Sequence, residues 1–151
     1  MERPLSYSWI LPGRLAVGES PQSLADLLPL GFRGVLSLQE SAEPQAVDPP
    51  PEGISYRNVA IRDGIVGGIP SQEQLERAVE ALRGLIDAGL PTYVHCYAGV
   101  GRSPTVCMAY LARTEGLSLE IAYRKVLSAH PPAAPTEGQL FALAEFLAAR
   151  R

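Results

Sequence analysis

Cysteine and lysine are scarce in this sequence of 151 residues, and long runs of one kind of side chain are missing. The two cysteines, Cys96 and Cys107, are too few for the disulfide framework of a small secreted protein. Lys125 is the only lysine, charged residues make up 19% of the chain, and the formal net charge is −3. Without a basic run, the sequence predicts neither a nucleic acid nor an anionic membrane as a partner.

Apolar runs are short as well, and none approaches the ~20 residues that a membrane-spanning helix needs. Met1 to Pro4 include an acid and a proline, unlike the apolar centre of a secretory signal peptide. Hydrophobic residues make up 46% of the chain, which is typical of a globular protein. We therefore expect a monomeric cytoplasmic protein with reduced thiols, folded as one domain over residues 1–151.

The spacing of apolar and turn-forming residues predicts strands that alternate with helices. The clearest helix has Leu75, Val79 and Leu82 at helical spacing and a capping pattern that begins at Ser71. We expect an α/β fold with a central mixed, largely parallel sheet of four to five strands and helices on both faces. Strands are predicted at 7–10, 15–17, 35–38, 54–61 and 92–95, and helices at 21–30, 71–88, 103–115, 118–129 and 136–149.

The segment from His95 to Ser103, with the sequence HCYAGVGRS, joins the last predicted strand to a helix. In α/β sheets, ligands bind at the carboxyl ends of the strands, where this segment falls. A strand, a tight loop and a helix N-terminus can direct several backbone N–H groups at one anion. Cys96 begins the loop and Arg102 ends it, and a helix N-terminus and an arginine both stabilise a thiolate. The segment therefore predicts a nucleophile and a phosphate-binding loop in one place.

The same residues resemble the signature of the cysteine-based protein tyrosine phosphatases, which is His-Cys, five residues, Arg, and then Ser or Thr. Ala98, Gly99 and Gly101 also match the common form of that signature. The chain length and the order of elements resemble the dual-specificity branch of this superfamily over about residues 6–146. The resemblance implies that the α/β fold is protein-tyrosine-phosphatase-like.

The resemblance also implies a role for each residue of the segment. Cys96 would be the nucleophile, and Arg102 would bind two phosphate oxygens and stabilise the transition state. Ser103 would donate a hydrogen bond to the departing sulfur, and His95 would hold the cysteine in place through the backbone. The N–H groups of the intervening residues would bind the phosphate; these residues are Tyr97, Ala98, Gly99, Val100 and Gly101.

Structural interpretations of these residues compete with the catalytic ones. A lone cysteine is often a core residue, and an arginine can cap a surface loop. Ser103, followed by a proline, fits a helix N-cap, and His95 fits a hydrogen-bonded core histidine. The joint spacing of Cys96, Arg102 and the glycines favours catalysis, whereas Cys107 lies among apolar helical residues and is predicted to belong to the core.

Asp63 is the predicted general acid, because the resembled family carries an aspartate on a mobile loop upstream of the cysteine. Asp63 directly follows a predicted strand at that place, and an exposed loop aspartate is the alternative. Asp48, in a proline-rich loop, and Asp87, at a helix end, fit less well. Gln139 matches a late glutamine that positions water in some relatives, but its capping pattern with Thr136 favours a structural role.

The predicted reaction is a two-step hydrolysis of a phosphomonoester without a metal or another cofactor. Cys96 attacks phosphorus while Asp63 protonates the leaving oxygen, and water assisted by Asp63 then releases phosphate. The expected substrates are proteins bearing phosphotyrosine and phosphoserine or phosphothreonine, because a dedicated phosphotyrosine-recognition loop is missing. Phosphoinositide phosphatases of this superfamily often carry lysines within the loop, where Tyr97, Ala98 and Val100 stand here.

Other functions stay open at this point. Within the same fold, the alternatives are a phosphoinositide or nucleotide phosphatase and a pseudophosphatase that binds phosphate without turnover. A rhodanese-like sulfurtransferase also uses a loop cysteine, but His95 and Ser103 fit that class less well. An RNA 5′-phosphatase would be expected to have a basic face, which the composition does not suggest.

Overall fold

A five-stranded sheet forms the centre of the protein in a computed structural model that describes residues 3–149. Its strands in chain order are β1 (Tyr7–Leu11), β2 (Leu15–Gly18), β3 (Gly34–Ser37), β4 (Ser55–Asn58) and β5 (Thr92–His95). Their order across the sheet is β1-β2-β5-β3-β4, with β1 antiparallel to β2 and the other neighbours parallel. The sheet is therefore mixed and largely parallel.

The register of the three central strands brings their carboxyl ends to one level. Gly18 of β2 and Ser37 of β3 both pair with His95 of β5. Ligands of α/β folds bind at this edge, because the loops that follow parallel strands meet there. Cys96 is the next residue after β5, so the topology places it at that edge.

The α-helices of the described residues pack on one face of the sheet. They are α1 (Gln72–Asp87), α2 (Arg102–Glu115), α3 (Leu119–Ala129) and α4 (Glu137–Ala148). α2 contacts the other three helices, and its residues from Arg102 to Ala112 are all buried. Within residues 3–149, no helix has the length and apolarity needed to cross a membrane.

The opposite face carries an aromatic cluster and one short 3-10 helix. Trp9 stacks on Phe32 with 4.9 Å between the ring centroids, and Tyr7 and Tyr93 contact Phe32 at 5.5 and 5.1 Å. The 3-10 helix, Leu24–Leu27, packs its buried leucines against these rings. Aromatic side chains bury large apolar areas, so this small layer covers the second face without a long helix.

The predicted helix over 21–30 is wrong in extent, since only the 3-10 helix Leu24–Leu27 forms there. Asp48 explains how this helix begins: its carboxylate accepts the N–H of Leu24 at 3.0 Å, the N–H of Ala25 at 3.3 Å and the hydroxyl of Ser23 at 3.0 Å. Leu24 and Leu27 are the leucines that reach the aromatic cluster. Their spacing of three suits a 3-10 helix, which has three residues per turn.

The predicted fold class is confirmed, with one domain that holds a mixed sheet and α-helices. Helices are predicted on both faces, and among residues 3–149 the helix on the second face is the short 3-10 helix Leu24–Leu27. The predicted strand over 54–61 is shorter, at Ser55–Asn58, because the chain leaves the sheet edge to begin the loop that carries Asp63. The remaining predicted elements lie within one residue of their observed bounds.

Replacing Asp48 by Ala should destabilise the protein, because the N–H groups of Leu24 and Ala25 lose a carboxylate acceptor. We expect the free energy of unfolding, measured by urea denaturation, to fall by about 1 kcal/mol, as for other lost side-chain caps. Asp26→Ala changes an exposed side chain of the same 3-10 helix and is the matched control. It should alter stability by less than ~0.5 kcal/mol. Equal losses in the two variants would contradict capping by Asp48.

Candidate active site

Residues 96–101, here called the Cys96 loop, connect β5 to α2 at the carboxyl edge of the sheet. Donors from outside the loop bind four of its carbonyl groups, which therefore face away from its centre. These hydrogen bonds run from Ser20 N to Tyr97 O at 2.9 Å, from His130 Nε2 to Gly99 O at 2.8 Å, from Ala134 N to Val100 O at 2.7 Å and from Thr105 Oγ1 to Gly101 O at 2.8 Å.

Four N–H groups in the Cys96 loop and at its junction with α2 face inward as a consequence. A trans peptide group is planar, so a carbonyl held on the outer side places the N–H of the same peptide on the inner side. The N–H groups ordered in this way belong to Ala98, Val100, Gly101 and Arg102. Together with the N-terminus of α2, they form a concavity suited to an anion.

Gly99 allows the Cys96 loop to lie directly against β2. Its φ is +75°, a left-handed conformation that favours glycine. A Cβ atom at this position would lie 2.6 Å from the carbonyl carbon of Gly18. Both the backbone conformation and the close approach therefore require glycine here.

The sulfur of Cys96 lies beside Ser103 at the start of α2. The residue is 2% exposed, with Ser103 Oγ 3.3 Å from Sγ and the Ser103 N–H donating to Sγ at 3.5 Å. The Ser103 N–H and the positive end of the α2 dipole therefore both lie at the sulfur. Ser103 is not the helix N-cap, since Gly101 takes that position without a side-chain bond. The structure thus places the hydroxyl where a role at the sulfur requires it.

Arg102 is held by a carboxylate that the sequence did not indicate. Glu43 binds it through two hydrogen bonds, from Nη1 at 2.7 Å and from Nη2 at 2.8 Å. Nη1 also donates to the carbonyl of Ile61 at 2.8 Å. A guanidinium has five N–H groups, so the edge formed by Nε and the second Nη2 hydrogen stays available. Nε is buried and has no hydrogen-bond partner among residues 3–149, which suits a group that binds a substrate oxygen.

The Arg102–Glu43 pair keeps both charges despite its burial. Burial by itself raises the pKa of Glu43, but the hydrogen bonds from Arg102 and from the Glu40 N–H outweigh it and hold that pKa below its usual range. Burial likewise lowers the pKa of Arg102, and the Glu43 carboxylate outweighs it, so the pKa is raised. At neutral pH the pair is therefore an ion pair with a fixed orientation.

Asp63 lies next to the available edge of Arg102. Its Oδ2 is 3.4 Å from Arg102 Nη2, and its side chain is 34% exposed. Its Oδ1 accepts the N–H of Ile65 at 3.2 Å and so caps the 3-10 helix Gly64–Val66. A substrate oxygen bound at the Nε–Nη2 edge would lie close to this carboxyl group. The structure thus brings the predicted acid to the Cys96 loop.

Gln139 forms the capping box predicted for α4 and also lies between two loops. The side-chain Oε1 of Gln139 accepts the backbone N–H of Thr136 at 2.9 Å. The backbone N–H of Gln139 donates to Thr136 Oγ1 at 3.1 Å. A Cβ atom at Gly64 would lie 2.7 Å from Gln139 Nε2, and one at Gly101 would lie 2.9 Å from Gln139 Oε1. The amide therefore occupies space that two glycines leave, and it connects the loop of Asp63 to the Cys96 loop.

His95 and Cys107 are buried without a direct part in the anion concavity. His95 Nδ1 lies 3.2 Å from the carbonyl oxygen of Cys96, which only accepts, so Nδ1 carries the proton. Burial lowers the pKa of His95 to about 4, so the ring is neutral at neutral pH. Burial raises the pKa of the Cys107 thiol, which keeps it protonated in the core.

A family model described as the catalytic domain of dual specificity phosphatases matches residues 17–148. The chain belongs to the dual-specificity phosphatase family. Tk-PTP in its active form has the same fold, with a TM-score of 0.81 and 30% identity over 96% of this chain and 98% of that one. The solved structure of human DUSP28 gives a TM-score of 0.75 at 26% identity, covering 97% of this chain and 96% of that one.

Curated relatives of this dual-specificity phosphatase family member are longer than the chain. The chain is 33% identical over 128 residues to the phosphatidylglycerophosphate phosphatase PTPMT1 of Arabidopsis thaliana. This match covers 83% of the chain and 37% of the plant protein. The chain is 35% identical over 71 residues to dual specificity protein phosphatase 1 of Mus musculus, which covers 47% of this chain and 19% of that protein. The chain thus spans less than half of these relatives.

Glu43 and His130 belong to the site of this phosphatase-family chain but were not predicted from the sequence. Glu43 lies 59 positions before Arg102, and no spacing rule connects the two residues. The prolines around Glu43 predict only that it lies in a loop. His130 follows a predicted helix and precedes two prolines, so its only signal was its place at a helix end. Within residues 3–149, no group of three or more His, Cys, Asp or Glu side chains could hold a metal ion.

Replacing Gly99 by Ala should weaken oxyanion binding, because the loop must move away from Gly18 to accept a methyl group. We expect the dissociation constant for tungstate, measured by calorimetry, to rise by roughly tenfold or more, as for a strained backbone position. Gly116→Ala is the matched control, since its φ is +68° and a Cβ atom there meets nothing within 4 Å. The control should lose some stability and keep its affinity, and similar affinities in both variants would contradict the role of Gly99.

Replacing Glu43 by Gln should destabilise the protein, because Arg102 keeps its charge and loses its charged partner. We expect the free energy of unfolding at pH 7 to fall by about 2 kcal/mol, less than for a fully unpaired buried charge because Asp63 stays nearby. The lowered pKa of Glu43 means that its contribution is present above the ordinary carboxyl pKa and is lost as the pH falls through the lowered one.

Denaturation from pH 7 down to pH 3 tests this dependence. The difference between the wild type and Glu43→Gln should narrow as the pH falls. Glu40→Gln, an exposed change in the same loop, should match the wild type throughout. A difference that persists unchanged at pH 3 would show that the loss comes from packing and not from the carboxylate charge.

Proposed function

We propose that this chain hydrolyses phosphomonoesters through a cysteinyl-phosphate intermediate, without a metal ion. The observation that carries the proposal is the geometry of the Cys96 loop. It combines a sulfur contacted by Ser103, N–H groups that face inward, and an arginine edge that stays available beside Asp63. A nucleophile, an oxyanion cradle and a proton donor in one place are the parts that phosphoryl transfer to sulfur requires.

In the first step, Cys96 Sγ attacks phosphorus opposite the ester oxygen. The S–P bond forms as the P–O ester bond breaks, and the proton of Asp63 passes to the leaving oxygen. The inward N–H groups and the Nε–Nη2 edge of Arg102 bind the three equatorial oxygens, whose charge they stabilise in the transition state. The products are an alcohol or phenol and the phosphorylated cysteine.

In the second step, water attacks the phosphorus of the cysteinyl phosphate. Asp63, now a carboxylate, accepts a proton from the water as the new P–O bond forms and the S–P bond breaks. The Ser103 hydroxyl donates a hydrogen bond to the departing sulfur from 3.3 Å, which stabilises the thiolate as a leaving group. Inorganic phosphate leaves, and both Cys96 and Asp63 return to their starting states.

Phosphoproteins are the substrates that the shape of the site favours. A surface cleft of about 720 Å³ opens beside Tyr97 and Ala98 and continues along Glu19, Pro21 and Gln45. It can take the residues that flank a phosphorylated side chain. The positions between Cys96 and Arg102 carry no cation, which disfavours headgroups with several phosphates. We infer activity on phosphotyrosine and on phosphoserine or phosphothreonine.

A lipid bearing a single phosphomonoester is the second candidate. The match to the plant phosphatidylglycerophosphate phosphatase covers 83% of this chain, far more than the match to the mouse protein. The loop after Asp63 also exposes three apolar side chains, since Ile65 is 85%, Val66 59% and Ile69 61% exposed. These side chains could lie against the acyl region of a membrane, and a single terminal phosphate needs no additional cation.

Catalytic variants test the reaction itself. With an aryl phosphate and a chelator present, the wild type should turn over, and Cys96→Ser should lose more than about 10³-fold in kcat. Asp63→Asn should lose about 10²- to 10⁴-fold on a phosphoserine peptide, whose alkoxide leaving group needs the proton. Asp87→Asn is the control for the charge change and should keep wild-type rates. A wild type that binds tungstate without turnover would make the chain a pseudophosphatase.

A direct comparison of substrates tests the choice between protein and lipid. Phosphotyrosine and phosphothreonine peptides should be hydrolysed with a higher kcat/KM than phosphatidylglycerophosphate in vesicles. Replacing Ile65 and Val66 together by Ser should leave the peptide rates unchanged, because neither side chain lines the cleft proposed for the peptide. A preference for the lipid that this double variant abolishes would establish the second candidate.

A further inference from the structure

His130 connects the outer side of the Cys96 loop to the edge strand of the sheet. The residue is 1% exposed and follows the last turn of α3. Its Nε2 lies 2.8 Å from the carbonyl oxygen of Gly99, and its Nδ1 lies 2.7 Å from Ser8 Oγ in β1. Both ring nitrogens thus have a partner, and the two partners come from distant parts of the chain.

The partners determine the tautomer of this imidazole. A carbonyl oxygen only accepts, so Nε2 carries the proton that Gly99 receives. Nδ1 then presents a lone pair and accepts the hydroxyl proton of Ser8. Burial lowers the pKa of His130, which keeps the ring in this neutral form at neutral pH.

Hydrogen bonds also hold the backbone around His130, so the position of the imidazole ring is fixed. The His130 N–H donates to Val126 O at 2.8 Å, and the His130 carbonyl accepts the N–H of Ala133 at 2.9 Å. Ala134, in the same turn, donates its N–H to Val100 O at 2.7 Å. The segment after α3 therefore holds two successive carbonyls of the Cys96 loop, one by a side chain and one by the backbone.

The hydrogen bond from His130 acts on the peptide group between Gly99 and Val100, next to the residue with the left-handed backbone conformation. Gly99 has a φ of +75° and packs against the backbone of Gly18. Without a donor on the outer side for the Gly99 carbonyl, the peptide group between Gly99 and Val100 is free to rotate. Such a rotation would turn the Val100 N–H away from the concavity. That N–H is a donor to the bound oxyanion in the inward arrangement.

We propose that His130 is a positioning residue: its Nε2–H holds the Gly99 carbonyl outward and thereby keeps the Val100 N–H directed at the phosphoryl oxygens. This role goes beyond the proposed function, since it applies to any oxyanion in the loop, whatever the substrate carries. It acts through the backbone, and His130 does not touch the substrate. The contact with Ser8 supports it by fixing the tautomer.

A pair of variants separates the two ring nitrogens. In His130→Gln, the side-chain amide nitrogen can take the place of Nε2 and donate to Gly99 O. His130→Asn is shorter and reaches only the place of Nδ1. We expect the tungstate dissociation constant, measured by calorimetry on the full chain, to rise by roughly tenfold in His130→Asn and by less than about threefold in His130→Gln.

Equal tungstate affinity in the wild type and both variants would overturn the proposal. So would equal losses of affinity in both variants with equal falls in Tm, because that pattern indicates packing of the ring and not its donor. An amide spectrum gives a second readout that does not depend on His130→Gln folding well. In the wild type, tungstate should shift the Val100 N–H proton downfield, and in His130→Asn this shift should shrink. An unchanged Val100 shift in His130→Asn would also overturn the proposal.

Discussion

The outward fixing of the Cys96 loop carbonyls is the constraint on which the rest of the site depends. Peptide N–H groups repel one another when they point at one place, so a loop of this kind needs donors on its outer side. Those donors come from the segment after β2, the turn after α3 and the first turn of α2. The sheet register and the helix layer therefore serve one local geometry, and the anion concavity is a property of the whole fold.

The charges around Arg102 complement this backbone arrangement. Glu43 and the carbonyl of Ile61 bind one side of the guanidinium, which leaves the Nε–Nη2 edge for an oxyanion. The same ion pair holds Arg102 in a single orientation, so little side-chain freedom is lost when a ligand binds. Asp63 lies beside that edge on a loop with an exposed apolar end. Arg102 thus connects the Cys96 loop to the more exposed loop that carries Asp63.

Three errors and omissions in the sequence-based predictions share a cause. The segment 21–30 forms a 3-10 helix because Asp48 and the aromatic cluster on the second face determine its start and spacing. Glu43 became a partner of Arg102 because the proline-rich loop folds back across the carboxyl edge of the sheet. His130 reached the Cys96 loop because α3 ends beside it. Each depends on contacts between segments distant in sequence, which periodicity and propensity do not report.

The sequence by itself determined the elements whose signals are local: the alternating strands and helices, the capping boxes of α1 and α4, and the loop that begins at Cys96 and ends at Arg102. These follow from the spacing of apolar residues, from caps and from glycines, all of which act over a few residues. Only the tertiary structure decided which carboxylate holds Arg102, which donors turn the loop carbonyls outward, and that Asp63 lies within 3.4 Å of the arginine. The physical reason is that such bonds become favourable only after the core has brought their partners together and excluded water from between them.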